Sequence, residues 1–176
     1  MSMTIRVDTA ALGDLFDHLN AEVVAAVRPA AQAASQVLYD AVKSNVAALG
    51  RKTGNLDRAI YQAYSAAHSA AGKATYHISW NARKAPHGGL VEFGHIQRYA
   101  SYLGSDGNWH TAVRPSMRGK PAPKRRASQA VKDAYYVLRA GGPVQVAARP
   151  FVRGAASRAD QAVEAAKAVL LAKVTA

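Results

Sequence analysis

The residues best suited to contact a polyanion lie in one short stretch of the chain. Within residues 113–127 no acidic side chain occurs, and proline and glycine interrupt the segment. Lysine and arginine contact phosphates as point charges and as two-pronged donors, and aromatic side chains lie just upstream at Tyr99, Tyr102 and Trp109. We name as candidate docking or DNA-facing residues the cations Arg114, Arg118, Lys120, Lys124, Arg125 and Arg126.

The same basic segment is also compatible with two simpler roles. It could be a solvated loop that aids solubility, or it could bind an acidic protein face. None of the RNA-recognition, helix-turn-helix or zinc-finger patterns accompanies it. We expect a projecting loop or arm that contacts either a neighbouring protein or DNA.

One group of side chains has the residue types of a metal site. The candidate ligands are His87, Glu92, His95 and His110. Their spacing is not the i, i+4 pair of a helical zinc site, and Gly88 and Gly89 argue against a helix there. We therefore predict no metal site.

Glu92 is the only acidic residue between Asp57 and Asp106, and its neighbours are apolar. A buried carboxylate needs a partner, and functional acids often have such surroundings, so both a structural and a catalytic role are conceivable. A structural pairing with an arginine is favoured. No nucleophile elbow, Walker loop or dinucleotide-binding glycine pattern is present. We predict neither catalytic residues nor a cofactor, and hence a protein that is not an enzyme.

The overall composition constrains the class of protein. The 176 residues carry a formal net charge of +12 and no cysteine. The absence of cysteine excludes disulfide scaffolds, thiolate zinc sites and cysteine nucleophiles, and the length favours one domain over residues 1–176. No apolar run is long enough to span a membrane, so we expect no membrane partner. Alanine-rich helices bury little area each, which favours packing between copies.

Hydrophobic periodicity predicts the elements that position these residues. A helix is expected over residues 9–49, kinked or broken near Pro29, which would leave a second helix over 30–49. Strands are expected over 56–65 and 75–82 around a loop at 68–73, and a short apolar element of uncertain type over 90–93. From residue 97 to residue 142 the composition becomes basic, and a turn at 104–107 and a short helix over 128–139 are expected there. A strand over 144–148 and a helix over 157–174 follow, the latter starting at a capping box of Ser157 and Asp160.

Three motifs in chain order resemble the tail-completion, or head–tail joining, family of long-tailed bacteriophages. Members carry a Thr-Gly-x-Leu turn, a Val-Glu-Phe-Gly segment and a Pro-Phe-Leu-Arg-Pro-Ala start to the last helix. The resemblance covers about residues 9–96 and 144–174, whereas residues 97–143 are an insertion. This sequence departs from the pattern at His95 and Gly154. The matching stretches are Thr53-Gly54-Asn55-Leu56, Gly89-Leu90-Val91-Glu92-Phe93-Gly94-His95 and Ala148-Arg149-Pro150-Phe151-Val152-Arg153-Gly154-Ala155.

The resemblance implies an α+β fold: a long N-terminal helix, a small antiparallel sheet and a C-terminal helix packed on the sheet. It also implies a structural virion protein, assembled in the host cytoplasm, that forms a six-fold or twelve-fold ring in the phage neck. The ring would complete the top of the tail, contact connector and tail terminator or tail tube proteins, and let genomic double-stranded DNA pass.

The motif residues then have structural roles. Gly54 and Gly94 allow tight backbone geometry, Phe93 and Phe151 anchor the core, and Glu92 holds an arginine or backbone amides. The alternative hypothesis is a small basic nucleic-acid-binding protein, which the charge alone would support.

Overall fold

The fold is that of a computed structural model, which describes residues 10–50, 54–107 and 109–175. Its helices and strands in chain order are α1 (Ala10–Ala48), α2 (Asn55–Ala59), β1 (Ile60–Tyr64), β2 (Tyr76–Trp80), α3 (Gly88–Phe93), β3 (His95–Gln97), β4 (Ser101–Leu103), β5 (Trp109–Thr111), α4 (Gln129–Tyr135), β6 (Val144–Val146) and α5 (Ala159–Val174). The expected α+β class is confirmed.

The chain divides into two compact units. The first comprises Met1–Glu92 and Pro150–Ala176, and the second comprises Phe93–Arg149. The inserted region expected over 97–143 falls inside the second unit. Among the described residues, no helix combines the length and the apolar character that crossing a membrane requires.

In the first unit the long helix α1 packs mainly against α5. Buried alanines on both helices, Ala26, Ala30 and Ala162, are at most 7% exposed. Small side chains let two helix axes approach closely, so alanine supplies contact where larger residues would hold the helices apart. Helix α1 also contacts β1 and β2, so it lies in contact with both the C-terminal helix and the sheet.

Helix α1 continues through Pro29 without a break. Of the two expectations for Pro29, a kink or a break, the break is wrong, and so is the separate second helix over 30–49. A proline in a helix interior removes one backbone hydrogen bond, but packing along an apolar face supplies most helix stability in proteins. The buried Ala26 and Ala30 on either side of Pro29 show that this stretch packs inside the unit.

The sheet of the first unit is the antiparallel pair β1–β2, with Ile60 opposite Trp80 and Tyr64 opposite Tyr76. The strand predicted over 75–82 is confirmed by β2. The strand predicted over 56–65 begins only at Ile60, because the preceding residues form α2. Gly54 starts this helical turn: its φ is +71°, and its carbonyl accepts a hydrogen bond from the Arg58 amide.

The hydrophobic core of the first unit joins α1, α2, β1 and the segment before α5. Phe151 is fully buried, and its ring meets the Trp80 ring edge-on with centroids 5.4 Å apart. The indole of Trp80 in turn lies against Gly88, where an added Cβ would collide with it. The other buried core residues are Val42, Val46, Leu56, Ala59, Ile60, Ala85 and Ala155.

The second unit contains short strands and the short helix α4. Two antiparallel pairs, β3–β6 and β4–β5, have three residues in each strand. The predicted helix over 128–139 is present as α4, whose first turn is capped by the Ser128 hydroxyl accepting from the Val131 amide. The predicted turn at 104–107 is closed by the Gly107 amide donating to the Gly104 carbonyl.

Helix α5 begins differently from the expectation. A 3-10 helix over Arg153–Arg158 precedes it, and the residue before its first turn is Arg158, which provides no side-chain cap. The Ser157 hydroxyl donates to the Gly154 carbonyl instead. The capping box of Ser157 and Asp160 is therefore wrong, because the chain is already helical where the cap was expected.

Candidate functional site

The Glu92 carboxylate is the most buried acidic group in the described part of the chain, at 1% exposure. It accepts hydrogen bonds from three successive backbone amides. The Phe151 and Val152 amides donate to Oε2 at 2.7 and 3.0 Å, and the Arg153 amide donates to Oε1 at 3.0 Å. These amides lie at the start of the 3-10 helix that leads into α5, where backbone N–H groups have no partner within the helix.

The Arg153 side chain completes this arrangement. Its Nε donates to Glu92 Oε1 at 3.0 Å, and its Nη2 donates to the Glu92 backbone carbonyl at 2.6 Å. The expected pairing of Glu92 with an arginine or backbone amides is confirmed, since both are present. The Arg153 side chain is 57% exposed, so part of its guanidinium faces solvent while the carboxylate is buried.

Burial raises the pKa of Glu92, but the hydrogen bonds from the Val152, Arg153 and Phe151 amides and from the Arg153 side chain together lower it by more. The resulting pKa lies below the ordinary value, and the group is a carboxylate at neutral pH. A general acid needs a raised pKa and access to a substrate. Glu92 has neither, so its geometry is that of a structural anchor.

Parts of all three motifs meet in the core of the first unit. Leu56 and Phe151 belong to the same buried cluster, and Val91 packs against it. The Phe151 carbonyl also accepts a hydrogen bond from the Asn45 side chain of α1 at 3.0 Å. Thr53 lies outside the described residues.

The remaining motif residues are distributed differently. Phe93 is 63% exposed, so its expected role as a core anchor is wrong, whereas that of Phe151 is confirmed. In α3 the face that carries Gly88 and Glu92 is buried, and Phe93 lies off that face. Arg149 and Pro150 are exposed.

Gly94 has the tight backbone geometry that the motif implies. Its φ is +71°, and a Cβ at this position would lie 2.7 Å from the Val146 carbonyl oxygen and 2.8 Å from the Ala148 nitrogen. A side chain is excluded both by the backbone conformation and by the space. Gly94 therefore permits the close approach of the chain before β3 to the chain after β6.

Most of the formal net positive charge of the protein lies in the second unit. Residues 93–149 contain ten lysines and arginines against two aspartates, a formal charge of +8 out of the +12 of the chain. The six cations of the basic segment are all exposed, and none pairs with a carboxylate among the residues that the structure describes. They are Arg114, Arg118, Lys120, Lys124, Arg125 and Arg126.

Hydrogen bonds hold the basic segment against α4 and the residue that follows α4. The Tyr135 hydroxyl donates to the Lys120 carbonyl and the Lys132 amine donates to the Arg125 carbonyl, both at 2.8 Å. At the start of the segment, Arg114 Nε donates to the Tyr136 carbonyl at 3.1 Å. The segment is therefore an ordered loop of the second unit, held at three points.

The sequence did not indicate a second group of hydrogen bonds at α4, which centres on the Asp133 carboxylate. Arg98 donates through Nε and Nη2 to the two oxygens of Asp133 at 2.9 and 2.6 Å, and the Tyr99 hydroxyl donates to Oδ1 at 2.8 Å. Gln129 also donates to Oδ1. The Arg98 and Gln129 hydrogen bonds hold the pKa of Asp133 far below its ordinary value. Because 35 residues separate Arg98 from Asp133, no local spacing could have signalled this pair.

In the described part of the chain, the histidines do not assemble into a metal centre. Across residues 10–50, 54–107 and 109–175, no three histidine, aspartate or glutamate side chains are placed to hold an ion. The carboxylate of Glu92 is already occupied by amides, and the His110 ring nitrogen Nε2 lies 3.0 Å from each oxygen of Asp106.

Comparison of the chain with protein family models, with curated proteins and with solved structures finds no match. Two features of the structure bear on the function: the Glu92 carboxylate in the first unit and the basic segment in the second.

Proposed function

We propose that the protein is a structural subunit of the bacteriophage neck. Copies would form a ring of about six or twelve subunits that completes the top of the tail and joins it to the DNA-filled head. Connector proteins and tail terminator or tail tube proteins would contact the ring, and genomic double-stranded DNA would pass through it. The role requires neither catalysis nor a cofactor.

The observation that carries this proposal is the way the three motifs are used. The second motif supplies Glu92, whose carboxylate binds the backbone of the third motif at Phe151, Val152 and Arg153. The first motif supplies Leu56, which packs in the same core as Phe151. Three segments far apart in the sequence thus build one structural joint, as expected of a scaffold whose shared residues maintain a fold.

The surfaces of the first unit support assembly into a ring. Val163 and Leu171 of α5 are 50% and 62% exposed, and Tyr61 of β1 is 43% exposed. Among the described residues the β1–β2 sheet has two strands, so each strand has an outer edge with which a strand of another chain can pair. In a ring, each subunit contacts its two neighbours through two different faces, and the ring closes when the repeated rotation between neighbours returns to the first subunit. A subunit with several exposed apolar sites suits such contacts.

Mass photometry of the purified full chain, followed by negative-stain microscopy, tests the proposal. We expect a closed ring of about six or twelve copies, formed by the protein alone or on addition of connector rings from the same particle. A chain that stays monomeric under both conditions would contradict the proposal.

One observation favours the alternative, a small basic nucleic-acid-binding protein. The second unit concentrates a formal charge of +8 in 57 residues. Such a field attracts nucleic acid whatever the assembly state. Mass photometry together with a gel-shift titration separates the two functions, because a monomer that binds nucleic acid favours the alternative and a ring favours the neck.

A further inference from the structure

The second unit contains a cavity of about 530 Å³. Two tyrosines line it, Tyr102 from β4 and Tyr135 from α4, together with Arg118 of the basic segment. Its remaining lining is small or apolar: Ala112, Val113 and Gly119. A space of this size is within the range of small-ligand sites, and flat rings beside a guanidinium suit a planar group that carries a negative charge.

The β4–β5 hairpin presents aromatic surface next to this cavity. Tyr102 is 53% exposed, and its ring lies 5.7 Å from the His110 ring of the neighbouring strand with an interplanar angle of 34°. Every nucleobase has a π-face, so such rings can stack with bases irrespective of sequence.

The positive charge around the cavity is not balanced within the second unit. Of its two carboxylates, Asp133 is taken by Arg98, and Asp106 lies against His110. None of the six cations of the basic segment pairs with a carboxylate among the described residues, although Arg114 Nε donates to the Asp133 and Tyr136 carbonyls. Because the segment is fixed by hydrogen bonds to its carbonyls from Lys132 and Tyr135, little ordering is required when these cations bind.

We propose that the second unit binds single-stranded nucleic acid, with a base stacked on Tyr102 at the cavity, a phosphate on Arg118, and the following phosphates along the basic segment. A duplex keeps its bases stacked internally and would use the cations alone. An acidic protein would likewise leave the aromatic cavity unused. The proposal goes beyond the neck function, and it stands or falls separately, since ring formation is measured from mass and not from nucleic-acid affinity.

Fluorescence anisotropy of the full-length protein tests the proposal. The probes are a labelled oligothymidylate of about 16 nucleotides, the upper end of single-strand site sizes, and a duplex of the same length. We expect tighter binding of the single strand. Tyr102→Ala should weaken single-strand binding about tenfold and Tyr102→Phe should retain it, because stacking needs the ring and not the hydroxyl. Tyr61→Ala, which removes a half-exposed tyrosine of the first unit, is the matched control and should have no effect.

A salt titration between about 50 and 200 mM tests the phosphate contact. Arg118→Ala should reduce the slope of log Kd against log salt by about 0.7, the value for one single-strand phosphate. Arg83→Ala, which removes an exposed arginine of the first unit, should leave the slope unchanged. Circular dichroism establishes that each variant is folded. The proposal is overturned if neither probe binds at low salt, if the duplex binds more tightly than the single strand, or if folded Tyr102→Ala binds like the parent.

Discussion

Three hydrogen bonds join Glu92 and Arg153, two donated by the Arg153 side chain and one by its backbone amide. Arg153 Nε lies 3.0 Å from Glu92 Oε1, and Arg153 Nη2 lies 2.6 Å from the Glu92 carbonyl oxygen. The Arg153 amide also donates to the same carboxylate. The end of α3 is thereby fastened to the start of the helical segment that leads to α5, and the carboxylate lies at the centre of the joint.

Replacing Glu92 by Gln should destabilise the protein while keeping its volume nearly unchanged. A neutral amide offers one acceptor oxygen to a site that contains four donors, and the hydrogen bonds lose their charge assistance. We expect a loss of about 1.5–3 kcal/mol in the free energy of unfolding, measured by urea denaturation. Glu164→Gln removes an exposed carboxylate paired with Lys167 and is the control, with little expected effect. Equal stability of Glu92→Gln and the parent would show that the joint does not hold the fold.

The same carboxylate predicts how stability depends on pH. The pKa of Glu92 is lowered in the folded protein, so the unfolded chain binds more protons as the pH falls through the ordinary glutamate pKa of about 4.3. The stabilisation by Glu92 is therefore complete above that pH and is lost as the pH falls towards the folded pKa. The difference in unfolding free energy between the parent and Glu92→Gln should shrink from about pH 5 downwards. A difference that stays constant from neutral pH to acid would contradict this assignment.

The two phenylalanines of the motifs should respond in opposite ways to truncation. Phe151→Ala removes a fully buried ring that packs on Trp80, and we expect a loss of about 3–5 kcal/mol in unfolding free energy. Phe93→Ala truncates a ring that is 63% exposed and should cost much less. If subunits associate through Phe93, its truncation should reduce the assembled fraction in mass photometry without lowering stability. Similar losses of stability in both variants would contradict the burial of Phe151 and the exposure of Phe93.

Hydrophobic periodicity predicted the helices and strands that are long or that strictly alternate apolar and polar residues. It failed for elements that are very short or whose conformation depends on packing against another element. Strand β2 was predictable because Tyr76, Ile78 and Trp80 alternate with polar residues. Helix α3 was not, because its glycines resemble a turn. Gly88 is instead demanded by the Trp80 indole that lies against it, a contact between residues on different elements. Strands β3, β4 and β5 have three residues each, too few for a period to be recognised.

The sequence allowed the residue types of the candidate site to be predicted, but not most of the contacts that they make. An isolated carboxylate in an apolar stretch already indicated that Glu92 is buried and paired, but its partners lie about 60 residues away. The cations of the basic segment were visible from composition. Their bracing by Tyr135 and the neutralisation of Asp133 by Arg98 depend on tertiary structure and left no local signal.

Gly94 should tolerate a side chain less well than a glycine of similar conformation in open space. Gly94 and Gly142, both in the second unit, have φ values of +71° and +85°. Alanine in the left-handed region costs about 1–2 kcal/mol at either position. At Gly94 the new Cβ would also meet the Val146 carbonyl oxygen at 2.7 Å, whereas at Gly142 nothing lies within 4 Å. Because backbone atoms must shift to admit the methyl group, Gly94→Ala should lower the urea midpoint clearly more than Gly142→Ala. Equal midpoints for the two variants would show that the approach of β6 to Gly94 is not tight in solution.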